Sequence, residues 1–363
     1  MRVIFLSAEC LLSAWRLATL RPRSRLLTGS RVQPEQFLRR PFHHVYSPCT
    51  RLSLEILSMK KLRFVISLPN DNRYQHEQGL AALAAGERLG VDVRLMHAND
   101  DAITQSQQIL ESVQARPELR PDAVVAEPVT GSGLRRVAQS AVAAGMAWVI
   151  SNCDVDYVAE LRRNAAALVF AVSQGQMEVG RLQGKQIAAL IPGGGAVLSV
   201  EGPSASAVAV QRHEGVQKTK PANVQIRSVR TKWSEESSYL AVSSWLRLAT
   251  NQAEHFRLVA AQAHDLMLGA RRAFEDHPDP GEKEKWLSLP SIGVGIRTHV
   301  EPLVARGTMT AAVVTAVTMP LAVEMLHRAI ETKSRPPEHT MVELTSCPAL
   351  ARLVESERIL QKQ

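Results

Sequence analysis

From Leu62 onward the chain alternates short apolar runs with amphipathic stretches. Leu62-Arg63-Phe64-Val65-Ile66-Ser67-Leu68-Pro69 is a mostly apolar run that stops at Asn70-Asp71-Asn72, where helical spacing takes over and continues to Gly90. Residues 91–96 repeat the apolar run, Asn99-Asp100 ends it, and another helix follows. Residues 121–128 read as a third buried strand, after which Thr130-Gly131-Ser132-Gly133 opens a helix to about Ala144. Residues 147–150 and 166–172 are the fourth and fifth strands. Apolar strands separated by helices predict a parallel sheet covered on both faces, and in such open sheets ligands sit at the carboxyl ends of the strands.

The rhythm then restarts. A long helix over about 176–191 leads through the turn Pro192-Gly193-Gly194-Gly195 into a strand at 196–200. Helices at 207–218, 235–248 and 265–274 alternate with strands at 224–229 and 256–260. The charged, proline-rich segment 277–285 reads as a loop, followed by strands at 291–296 and 311–317 and a helix at 322–332. The tail from Val342 ends in a short surface helix. Two such halves predict an α/β chain of two Rossmann-like lobes with a cleft between them.

Composition agrees with this division. At 363 residues the chain exceeds what one hydrophobic core usually supports. Its 45% apolar and 21% charged content is that of an ordinary globular protein. No run approaches the roughly 20 unbroken apolar residues of a bilayer crossing, so no membrane span is expected. Cys10, Cys49, Cys153 and Cys347 lie far apart, without the spacing of a metal site or a disulfide framework. No metal and no cofactor is therefore predicted.

The net charge of +8 resides mostly in the first 58 residues, where nine arginines face Glu9, Glu35 and Glu55. The remainder is nearly neutral, so no nucleic-acid contact is expected. Residues 1–58 form a leader whose apolar stretch is interrupted by Glu9, followed at once by Arg16, and closed by no small-residue cleavage site. It reads as a poorly ordered tail, a degenerate export signal or, the favoured reading, a start codon called too early, with Met59-Lys60-Lys61 as the natural beginning.

Catalytic patterns are thin. The glycines at 193–195 precede a strand and cannot present a helix start to a phosphate, while Gly131-Ser132-Gly133 lacks both the third dinucleotide glycine and the P-loop lysine. There is no GxSxG elbow, and His264-Asp265 stands at a strand-to-helix junction, where an acid also serves as a first-turn residue. The loops do hold groups suited to a small hydroxylated or charged ligand. These are Asn70, Asn72, Arg73, Tyr74, Asn152, Asp154, Ser206, Arg212, Trp233, Glu235, His264, Asp265 and Arg297.

Several stretches together resemble the type I periplasmic sugar-binding proteins of the ribose- and galactose-binding kind, which share their fold with the effector domain of LacI-type repressors. The stretches are the opening strand with Asn70 and the helix through Gly79; Gly180-Arg181-Leu182-Gln183-Gly184; Gln211-Arg212-His213-Glu214-Gly215; and the run from Ala261 to Ala270 containing His264-Asp265-Leu266. Val304-Ala305-Arg306-Gly307 and Met309-Thr310-Ala311-Ala312-Val313 fit the family's late helix and return strand.

The resemblance implies a three-crossing hinge near Gln174, Thr315 and Leu344. The lobes would be 59–174 plus 316–344 and 175–315 plus 345–363. Trp233 falls where the family keeps an aromatic and Arg212 near its arginine. The sugar-stacking aromatic pair falls on Asn72 and Arg73, the family's asparagine on Ala263, its late aspartate on Gly295 and its hinge glutamine on Thr315. What is implied is a binding protein and not an enzyme, holding a small carbohydrate-like solute as the substrate-binding component of a sugar-type ABC transporter. Its partner would be a permease or a sensor kinase. The alternative is a cytoplasmic sensor or orphan effector domain of a LacI-like regulator; an α/β enzyme is the third reading. The family places the chain in the cell envelope, whereas the leader without a cleavage site leaves the cytoplasm open.

Overall fold

The computed structural model describes residues 61–163, 167–248 and 255–360. The leader, the start at Met59 and the first residue of the expected fifth strand, Ala166, lie outside the described residues. The first sheet contains β1 (Arg63–Leu68), β2 (Asp92–His97), β3 (Ala123–Ala126), β4 (Ala147–Ser151), β5 (Val169–Ser173) and β11 (His339–Met341), in the order β11-β5-β4-β3-β1-β2. The second contains β6 (Gly195–Glu201), β7 (Val224–Arg230), β8 (Phe256–Ala261), β9 (Ser291–Ile296), β10 (Ala311–Thr315) and β12 (Thr345–Cys347), in the order β12-β10-β9-β8-β6-β7. Every described pairing is parallel except β10 with β12. The central strands β3, β4, β5 and β10 are buried at every position, because helices cover both faces. The edge strand β7 is mostly exposed instead, with Val224 and Val229 buried and Arg227 and Arg230 outward.

In the first lobe the helices are α1 (Arg73–Leu89), α2 (Ala102–Gln114), α3 (Arg135–Ala143), α4 (Val158–Arg162) and α11 (Met319–Thr332). In the second they are α5 (Gln176–Leu190), α6 (Ala207–Thr219), α7 (Glu235–Leu246), α8 (His264–Glu275), α9 (Pro280–Ser288), α10 (Arg297–Ala305) and α12 (Leu350–Leu360). Their starts follow from side chains that satisfy the first backbone N–H groups. Asn72 accepts from Gln75 N, Asp101 from Ile103 N and Thr104 N, and Ser234 from Ser237 N. At the far end of α1, Gly90 takes the left-handed φ of 69° that closes the helix.

The chain passes between the sheets three times: at 174–175 from β5 to α5, at 316–318 from β10 to α11, and at 342–344 from β11 to β12. The fold is thus the two-lobed α/β arrangement that the periodicity predicts.

Four local expectations are corrected. The segment 277–285 is not all loop. Asp279 accepts from Gly281 N and Glu282 N, Pro280 occupies the first turn, and α9 follows. Proline is tolerated there because its missing N–H would be unpaired anyway. Trp286 of α9 stacks on Phe274 at 5.1 Å and 12° and packs edge-on against Trp245, so the helix is held by an aromatic cluster. The helix after β3 begins at Arg135, not at Thr130, and the short α4 had no signal. The tail from Val342 is more than a surface helix: directly after β11 has joined the first sheet it supplies β12 to the second, and Leu353 of α12 is buried against the second lobe.

Candidate functional site

The carboxyl ends of β1, β3 and β4 face those of β6, β8 and β9 across the gap between lobes. On the first lobe, β1 runs into Pro69-Asn70, and Asn70 is spent on the turn itself. Its Nδ2 donates to Asp100 Oδ1 at 2.6 Å and its Oδ1 accepts from Asn72 N at 3.1 Å. One turn into α1, the Tyr74 hydroxyl donates to Asn152 Oδ1 at 3.0 Å and accepts from Gln78 Nε2 at 2.7 Å. Asn152 stands just past β4 with a left-handed φ of 65°, a conformation that asparagine tolerates better than most residues. Its Oδ1 also accepts from Gln174 Nε2 at 2.7 Å and Gln176 Nε2 at 3.2 Å, tying β4 to the first hinge crossing.

On the second lobe, Arg212 of α6 is buried at 7% exposure with its charge in place. Nε donates to Gln176 Oε1 at 2.7 Å, a second nitrogen donates to the Gln262 carbonyl, and the guanidinium lies 5.9 Å from the centre of the Trp233 ring. Burial lowers its pKa to about 10, which leaves it a cation at neutral pH. Gln262 accepts from Gly202 N at 3.0 Å and donates to the Ala209 carbonyl at 2.9 Å, fastening the loops after β6 and β8 to α6. Gly202 is required here because a Cβ would run into the Trp233 indole.

Between these walls lies a cavity of about 180 Å³. Of the residues singled out in the sequence, Asn72, Tyr74 and Asn152 line it from the first lobe, and Ser206, Arg212, Trp233, His264 and Asp265 from the second. The other five do not line it. Asn70 supports the β1 turn from behind, and Arg73 is exposed at the start of α1, near enough to His264 and Asp265 for its charge to act on both. Asp154 borders a neighbouring groove with Thr130, Gln211 and Glu214. Glu235 lies 3.6 Å from Arg272, and Arg297 pairs with Glu301 on the surface of α10.

The two lobes touch on several sides of the cavity. Asn72 Nδ2 donates to the Trp233 carbonyl at 3.1 Å, Gln211 Nε2 to the Asp154 carbonyl at 3.2 Å, and Glu77 stands 3.7 Å from His299. Val208 of α6 buries into the core of the first lobe beside Leu134. Gly131 lets Ala207 approach closely, so the Gly-Ser-Gly segment serves closure and opens no helix.

Burial dominates the electrostatics. Glu127, at the end of β3, is pushed up to about 7 by desolvation, against hydrogen bonds from Asn152 and Gln75 and the charge of Arg212. His264 is driven down to about 3 by burial, then by His299 and Arg73, and is neutral. Its ring lies 4.7 Å from that of His299. Its Nε2 is 3.2 Å from Asp265 Oδ1 without hydrogen-bond alignment, and Asp265 is itself raised by burial. Among the described residues no cluster of three or more histidines, cysteines or acids could hold a metal ion, and no helix is long and apolar enough to cross a membrane.

Residues 64–334 match the family of the periplasmic binding protein domain. The chain belongs to that family. Among curated proteins none is significantly similar. The fold recurs in solved structures. A Mycobacterium smegmatis protein in complex with β-D-fucofuranose is 18% identical, with a TM-score of 0.68 over 83% of this chain and 95% of that one. An ABC transporter solute-binding protein from Bacillus halodurans with bound myo-inositol is 17% identical, with a TM-score of 0.66 over 82% and 98%. The binding-protein component of the arabinose ABC transporter from Shewanella sp. ANA-3, bound to L-arabinofuranose, is 16% identical, with a TM-score of 0.65 over 83% and 97%.

Within this periplasmic binding protein, sequence reasoning missed Glu127, Gln75, Gln176 and Gln262. Glu127 did carry a signal: it is the one charged residue closing the otherwise apolar run Ala123-Val124-Val125-Ala126, at the strand end where ligands bind. Gln262 lay in the stretch that carries the family resemblance, whereas Gln75 and Gln176 carried no signal, since on their own helices they look like solvated surface.

Proposed function

We propose that this periplasmic binding protein holds a small polar, carbohydrate-like solute between its lobes, as the substrate-binding component of a sugar-type ABC transporter in the cell envelope. The observation that carries the reading is the pairing, in one interlobe cavity, of a buried acid and a buried arginine beside an indole face: Glu127, Arg212 and Trp233. A carboxylate and a guanidinium together satisfy the accepting and donating sides of hydroxyl groups, and an aromatic face covers the apolar face of a ring. The cavity of about 180 Å³ is smaller than the roughly 300 Å³ at which drug-sized pockets begin, which favours a single ring. The single-ring ligands named for the structural neighbours support the same size class.

A solute touching both walls stabilises the closed arrangement by its differential affinity, and the closed form is what a permease would recognise. Chemistry on the solute is not part of this reading. Asp265 has only a neutral, misaligned histidine beside it, and no nucleophile with an aligned base lines the cavity among the described residues. The test is a thermal-shift screen of pentoses, hexoses, furanoses, inositols, amino sugars and amino acids, followed by calorimetry and recovery of the solute. Single-site binding with unaltered solute supports the proposal. A chemically changed solute, with turnover abolished in Asp265→Ala, overturns it in favour of an enzyme.

A further inference from the structure

The polar groups of the cavity are unevenly committed. Its donors are partly spent on the walls: Arg212 gives Nε to Gln176 and one further nitrogen to Gln262, keeping its remaining N–H groups, and the Tyr74 hydroxyl donates to Asn152. Its acceptors are left over. Glu127 is 4% exposed and lines the cavity, and although Asn152 and Gln75 act on its carboxyl, its Oε2 has no hydrogen-bond partner among the described residues. Oε1 of Gln75, beside it on the same wall, is buried and equally without one. Among the described residues three acids, Asp100, Glu127 and Asp265, line the cavity with one cation, Arg212, while Arg73 acts on Asp265 from beside it. A buried, unpartnered carboxylate oxygen is costly and in a native structure calls for a partner.

We infer that the solute carries a protonated amine beside its hydroxyl groups, with the ammonium set against Glu127 and Gln75. The inference rests on the solute-binding reading above. A hydroxyl brings one donor together with acceptor lone pairs that need donors of their own, and few are left here. An ammonium brings three donors, no acceptor, and a charge that offsets the buried carboxylate. The ionisable groups around Glu127 leave it the one group that responds near neutral pH. Tyr74 of α1 and Cys153 beyond β4 are raised by burial and stay neutral; Arg212 of α6 stays charged. Across the cavity, the His264 imidazole of α8 is held neutral, and Asp265 is raised by burial against the charge of Arg73. With Glu127 near 7, a cation that binds beside it ionises the carboxyl and sends its proton to solvent.

The test uses matched pairs with the full chain: D-glucosamine against D-glucose, D-galactosamine against D-galactose, and D-mannosamine against D-mannose, measured by calorimetry in two buffers of different ionisation enthalpy. The expected result is that the amino member of at least one pair binds roughly tenfold or more tightly than its hexose. Its binding should release protons at pH 7 and weaken at pH 5, and Glu127→Gln should remove both the preference and the proton release. Melting of the variant checks that it folds, and the wild-type pairs carry the test if it does not. Equal or tighter binding of the hexoses overturns the inference and leaves the solute-binding reading standing. Failure of every pair also overturns it, and the wider screen decides the solute-binding reading separately.

Discussion

The side chain of Asn72 holds two lobes at once: its Oδ1 caps α1 by accepting from Gln75 N at 3.0 Å, while its Nδ2 donates to the carbonyl of Trp233 at 3.1 Å. The two ends of one amide therefore separate helix stability from lobe closure. Asn72→Asp keeps the cap, and its charge suits a helix N-terminus, but it cannot donate to a carbonyl. We expect the variant to melt within a degree or two of the wild type while binding solute several-fold more weakly and scattering as a more open particle. Asn72→Ala should lose the cap as well, about 1 kcal/mol of stability by denaturant titration.

Trp233 joins the cores of both lobes and shares a cavity with Arg212. Aromatic contacts add on the order of 1 kcal/mol beyond area, so Trp233→Ala should weaken solute binding about tenfold by calorimetry. Gly202→Ala is the subtler probe, because the added methyl meets the indole and displaces it without removing it. An unchanged affinity in both variants would leave Trp233 as packing alone.

Glu127 makes a signed prediction about pH. Its folded pKa of about 7 lies above the ordinary 4.5, so between those values the folded chain keeps a proton that the unfolded chain has released. That contribution is present at low pH and is lost as pH rises through this window, to about 3 kcal/mol at full extent. His264 acts in the opposite sense: with a folded pKa of about 3 against 6.5, its contribution is lost as pH falls. The clean measurement is the difference between Glu127→Gln and wild type without solute. The melting temperature of the variant should gain on that of the wild type by several degrees between pH 4.5 and 7.5. A constant difference would mean that Glu127 titrates as an ordinary surface acid.

The helix pair α5 and α6 carries Arg212 into place through close backbone contact. A Cβ on Gly180 would strike the Arg212 carbonyl, and one on Gly215 would strike the Met177 carbonyl. Gly180→Ala should cost about 1–3 kcal/mol in chemical denaturation and lower solute affinity as well, because the helix bearing Arg212 must shift. Loss of stability with intact affinity would show that Arg212 adjusts independently of the helix.

Much of this protein was legible one segment at a time. The alternation of apolar strands with amphipathic helices, the capping residues Asn72, Asp101 and Ser234, and the location of ligand groups at strand ends all depend on neighbours a few residues away. The start of α9 at Asp279-Pro280-Gly281-Glu282 was equally local and was misread only because proline and glycine mark loops as often as first turns. The composition of the cavity was of another kind. Arg212 and Arg297 both follow strands of the second sheet, yet one is buried against Gln176, Gln262 and Trp233 and the other pairs with Glu301 on the surface. Glu127, Asn152 and Gln176 meet only because the chain crosses between lobes at 174–175 and sets the first residue of α5 against the loop after β4. Periodicity reports which face of an element is apolar; it carries no information on which polar groups from distant segments share one water-excluding space, and that is set by the packing of the two lobes.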